Sequence, residues 1–144
     1  MPKGESVTDW YRDAWIVIVL NAAITTVHAA AHIELAILPP PPDAVFILVV
    51  IISLPILSMA MVRRITRFAW VLMLSFAASF VYGALSHFVL AGPDNALGLS
   101  QGPWSGVFQV TSGLLAMLEM AGVAVGIALI ARARTPSGSV APPA

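Results

Sequence analysis

The sequence contains no cysteine. That absence removes disulfides, thiolate metal sites, iron–sulfur clusters and thiol exchange together. Charge is nearly as scarce: 7 basic and 7 acidic residues make 10% of the chain, where soluble domains carry about 25%. Because the two signs cancel, no basic field exists to attract nucleic acid. Also missing are a Gly-rich nucleotide loop, a P-loop, a G-x-S-x-G elbow and an H-E-x-x-H motif. What fills the space is apolar. Hydrophobic residues are 59% of the 144, and mean hydropathy is +0.92. A soluble domain of this size cannot hide so much apolar surface, and disordered chains are poor in it. The composition therefore points to a membrane.

The gaps between charges locate the spans. No charge lies between Asp13 and Glu34, Asp43 and Arg63, Arg67 and Asp94, Asp94 and Glu119, or Glu119 and Arg132. A membrane helix needs roughly 20 mostly apolar residues. Four spans are predicted, near 14–38, 44–62, 68–91 and 104–131, within a transmembrane domain covering 14–134. Residues 1–13 read as a cytoplasmic segment and 135–144, rich in Pro, Ser, Gly and Ala, as a disordered tail. Pro39 to Pro42 break the first connection. Gly92-Pro93-Asp94-Asn95 and Gly102-Pro103 mark turns in the third. The expected fold is all-α, an up-and-down bundle of four transmembrane helices. Ala29-Ala30-Ala31 resembles a signal-peptide cleavage site, but the leading segment sets Glu5, Asp9 and Asp13 against Lys3 and Arg12. Lacking net positive charge, it is read as a retained span.

Direction follows from the cations. Lys3 and Arg12 precede span one, Arg63, Arg64 and Arg67 lie between spans two and three, and Arg132 and Arg134 follow span four. The positive-inside rule puts both termini in the cytoplasm. Trp10, Tyr11, Trp15 and Trp70 then form an inner aromatic belt, with Trp104 at the outer boundary.

Polar groups within spans are costly, so they concentrate the functional information. Asn21, Thr25, His28 and His32 share one helix face at four-three-four spacing. Ser75, Ser79, Tyr82 and Ser86 repeat that spacing on span three, flanked by His87. Gln109, Ser112 and Glu119 fall near one face of span four. At 1.5 Å per residue, His87, His32, His28 and Glu119 sit roughly 5, 9, 15 and 18 Å from the outer ends of their spans. Glu34 lies roughly 200° around the helix from His32 and reads as an interfacial carboxylate. Asp94 and Asn95 read as turn formers. Span two carries Pro55 and reads as a kinked packing helix. Gly122 and Gly126 form a G-x-x-x-G suited to close packing, within the bundle or with another subunit.

An H-x-x-x-H pair places two imidazoles near one point. His28, His32, His87 and Glu119 are the expected metal ligands, for Zn, Fe, Cu or Mn. Asn21, Thr25, Tyr82, Ser86, Gln109 and Ser112 are the expected pocket lining. A b-type haem between His32 and His87, with room left by Ala29, Ala31, Gly83 and Ala84, is the second cofactor reading. The functional expectation is an outward-facing metal or haem pocket, within a redox or transport assembly. Its rivals are a non-catalytic accessory subunit of a larger membrane complex and an ion or proton path along the polar stripes. Partners are accordingly the bilayer and an oligomer or larger complex, not nucleic acid.

Overall fold

A computed structural model describes residues 7–100 and 102–134. It is all-helical, with no strand among the described residues. Four helices are long and apolar enough to cross a membrane. They are α1 (Val7–Glu34), α2 (Pro41–Val62), α3 (Phe68–Val89) and α4 (Pro103–Arg134). The expected tail at 135–144 lies outside the described residues, as do residues 1–6 of the expected leading segment.

Six of the eight boundaries differ from the expectation, most of all those of α1, each of which has a local reason. α1 starts at Val7, not 14. Asp9 in its first turn suits the positive end of the helix dipole, so the charged lead winds into the helix. α1 stops at Glu34, not 38, because Ala36 turns left-handed at φ 55°. Ile37 N–H returns to the His32 carbonyl at 2.9 Å, five residues back. This is a Schellman-type stop with alanine where glycine is usual.

α2 is not uniformly α-helical. It winds as π-helix from Ile47 to Ser53 and resumes as α-helix over Leu54–Val62. Pro55 explains the change: it offers no N–H, and its ring crowds the carbonyl four residues earlier. The widened turns remove that conflict. Leu54 N–H reaches back to Val49 O, and the Ser53 hydroxyl donates to Leu48 O at 2.7 Å. The kink expected at Pro55 is thus expressed as extra residues per turn. α3 ends in the same manner, as π-helix over Leu85–Val89, and this turn carries His87.

α4 is the hub, packed along both α1 and α3, while α2 packs on α3. The inner core joins Ala14 and Ile18 of α1, Met59 and Val62 of α2, Leu72 and Phe76 of α3, and Val125 and Leu129 of α4. Gly122 faces the Phe76 ring so closely that a Cβ would overlap it, and a Cβ on Gly126 would stand 2.9 Å from Met73 Cα. The G-x-x-x-G therefore brings α3 against α4 inside the bundle. At the same end, the Arg63 guanidinium covers Tyr11 at 4.9 Å and that of Arg132 covers Trp10 at 4.4 Å. The start of α1, the α2–α3 turn and the end of α4 thereby share one end of the molecule. The histidines lie toward the other.

Candidate metal centre

Three helix segments deliver three imidazoles to one point. His28 and His32 come from successive turns of α1, and His87 from the π-turn of α3. His28 and His87 are buried. One ring nitrogen of each histidine lies within 4.8 Å of those of the other two. The Nε2 atoms of His28 and His32 are 3.2 Å apart. Beneath them the Phe108 ring, fully buried, touches all three at centroid distances of 4.6, 4.9 and 5.2 Å. Water is kept from that side of the cluster.

The second ring nitrogens fix the tautomers. His32 Nδ1 lies 2.6 Å from the Ile37 carbonyl, and His87 Nδ1 3.1 Å from the Asp94 carbonyl. A carbonyl only accepts, so both Nδ1 atoms carry hydrogen and donate. His28 Nδ1 lies 2.8 Å from Thr111 Oγ1. The Thr111 hydroxyl already donates to Val107 O at 2.7 Å, so it accepts from His28. In their neutral forms all three histidines therefore hold the proton on Nδ1 and a bare lone pair on Nε2. Two such lone pairs meet at 3.2 Å with no hydrogen between them. A metal ion bound by both nitrogens would satisfy that contact, as would a single proton shared between them.

The distance also suits a metal. Two nitrogens each 2.0–2.1 Å from a tetrahedral zinc stand about 3.3 Å from one another. Outer-shell hydrogen bonds that orient ligating histidines are the usual companions of such sites. Here they come from Thr111 of α4, from the stop of α1 and from the α3–α4 turn. The Asp94 carboxylate adds negative charge 3.6 Å from His32 Nδ1.

The other expected residues divide into several groups. Glu119 is buried and lines the same cavity, but its carboxylate is not within the 4.8 Å cluster. Thr25, Tyr82 and Ser112 also line the cavity, and Ser112 spends its hydroxyl on Phe108 O. Asn21 is buried one helical turn below Thr25, outside the lining. Ser86 is half-buried and does not reach the cavity. Gln109 does not line the cavity and instead holds the α3–α4 turn, donating to Ala96 O at 2.7 Å. Glu34 is exposed, as an interfacial carboxylate should be. Phe108, Thr111 and the two carbonyls of Ile37 and Asp94 were not singled out from sequence. Phe108, Thr111, Ser112 and Glu119 do follow one helical stripe, and that spacing was the available signal. No family model, curated protein or solved structure matches this chain.

Proposed function

We propose that this chain is a small polytopic membrane protein that binds one transition-metal ion through the Nε2 atoms of His28, His32 and His87. The observation that carries the reading is that one ring nitrogen from each of three histidines lies within 4.8 Å of the other two, while each Nδ1 is held by a hydrogen bond. Three neutral imidazoles with no thiolate suit Zn, Cu or Fe. Mn, which prefers oxygen ligands, is disfavoured because Glu119 stays outside the cluster. Three protein ligands leave a fourth position open, the arrangement of zinc sites that do chemistry. That position faces the cavity. By the positive-inside rule the centre lies in the outer half of the membrane with both termini cytoplasmic. Such a centre fits a redox or transport assembly.

A bare metal is favoured over haem by the ring packing. The His32 and His87 centroids are 5.9 Å apart, but His28 touches both at 4.7 and 4.9 Å, and Phe108 caps the group. A macrocycle between His32 and His87 would have to displace those two rings. Gly122 and Gly126 pack within the bundle, so they give no separate support to the accessory-subunit reading.

Metal analysis of protein purified from membranes tests the proposal. The expected result is one transition-metal ion per chain, lost in His28→Ala and His32→Ala variants of unchanged helix content. Metal-free protein that also refuses added zinc would overturn it.

A further inference from the structure

Beside the histidines lies a cavity of about 300 Å³. Ile33 and Leu38 at the end of α1, Leu48, Ile51 and Ile52 on α2, and Leu115 on α4 supply apolar walls. The outer half of α2 leans on α3, and α1 meets α2 through its inner half, Leu54–Val62. A lateral gap is left between α1 and α2. Its rim residues Ile33, Leu38 and Leu48 are 65%, 70% and 60% exposed. In a bilayer that exposure is to hydrocarbon, so the entrance faces lipid.

The polar groups of this cavity can both donate and accept. The Glu119 carboxyl and the Thr25 and Tyr82 hydroxyls all line it. Thr25 Oγ1 and Asp94 Oδ1 are buried without a hydrogen-bond partner, Asp94 Oδ1 standing 3.6 Å from His32 Nδ1. A fitting ligand brings a hydroxyl, able both to donate and to accept, on an apolar body, since a buried polar group left unmet is costly. A carboxylate head would confront Asp94. A phenolic O–H, with a pKa near 10, donates more strongly than an aliphatic alcohol. The volume, at the lower end of small-molecule sites at about 300–1,000 Å³, accommodates one ring and not a fused sterol.

We infer that this cavity binds a lipophilic phenol or quinol taken laterally from the bilayer, with its hydroxyls on Glu119 and the histidine face and its tail leaving between α1 and α2. The inference extends the metal reading and rests on it only where a hydroxyl meets the histidines. Gly83 borders the cavity between its two polar ends: a Cβ there would meet Glu119 Oε2 at 3.8 Å and His87 Cδ2 at 4.0 Å in ordinary contact, whereas a larger side chain would fill the space.

Equilibrium binding of a decyl-substituted benzoquinol to the detergent-solubilised full chain tests this, with and without added zinc. The expected result is saturable binding at one site per chain. The dimethyl ether of the same quinol, which has no donor, should bind tenfold or more weakly. Decanoate should not compete. Gly83→Leu should abolish quinol binding while zinc stoichiometry is retained, and Gly83→Ala, whose added atom meets only ordinary contacts, should bind as the native chain does. Equal binding of quinol and ether, or no saturable quinol binding by the native chain, would overturn the inference. Zinc uptake without quinol binding removes the quinol alone. Quinol binding without zinc uptake removes the metal alone.

Discussion

At the scale of single residues, the site is set by what holds the back of each imidazole. Thr111 provides the sharpest test, because it touches the centre only through His28 Nδ1. Thr111→Val keeps the shape and leaves His28 free to take the other tautomer. Metal affinity should fall by about 10–100-fold, the usual cost of a lost outer-shell partner, with helix content unchanged by circular dichroism. An unaltered affinity in a metal titration would show that the tautomer is not held there. His28 and His32 were legible in the sequence because four-residue spacing guarantees a shared face. Thr111 was not, because hydroxyls on apolar helices ordinarily satisfy their own backbone, as Thr111 also does with Val107 O. The Ile37 carbonyl carried no side-chain signal at all. Its position depends on the left-handed turn at Ala36.

At the scale of elements, each helix terminus near the site departs from regular geometry, and the departures aim the ligands. Helix α1 ends in a left-handed alanine, a conformation costing about 1–2 kcal/mol for a residue with a Cβ. Ala36→Gly should relieve it, offset by the greater freedom glycine has when unfolded. The expected net gain is about 1 kcal/mol, read as a raised unfolding temperature of metal-free protein. The π-turn at Leu85–Val89 carries His87, and single π-turns of this kind recur at functional sites. The charge-free interval located this helix near 68–91, but a reading at 3.6 residues per turn throughout could not foresee that turn. The contact between α3 and α4 is the opposite case, regular and tightly fitted. Gly126→Leu would push side-chain atoms into Met73, whose backbone cannot yield as a flexible tip would. Destabilisation of about 1–3 kcal/mol is the ordinary result of overpacking, and thermal unfolding of the purified variant measures it. The G-x-x-x-G pattern showed that a close approach was needed. Only the fold shows that Phe76 and Met73 make it.

At the scale of the whole molecule, alternating helices put the aromatic and arginine girdle at one end and the histidines toward the other. The four spans were legible because charge avoids hydrocarbon. Their neighbours were not, since one sequence carries no information on helix rotation, and Glu119 was therefore grouped with histidines whose depth it shared. Orientation in the bilayer can be tested cleanly, because the native chain has no cysteine to contribute background. In intact cells, a membrane-impermeant maleimide should label Leu97→Cys, at the exposed outer turn, and leave Arg64→Cys unlabelled until the membrane is opened. The reverse pattern would invert the topology. The α3–α4 turn has a further consequence. Its backbone is tied to the bundle through His87, through Gln109 on Ala96 O, and through the Asn95 side chain on Leu90 O at 2.9 Å. A segment fastened at several points opens rarely, and its opening frequency limits any exchange that depends on it. Under the proposed metal reading the turn would act as a clock, since a chelator would wait for it to open. Gln109→Ala, remote from every ligand atom, should shorten the lifetime of the bound ion in a chelator chase while leaving the amount bound at equilibrium nearly unchanged.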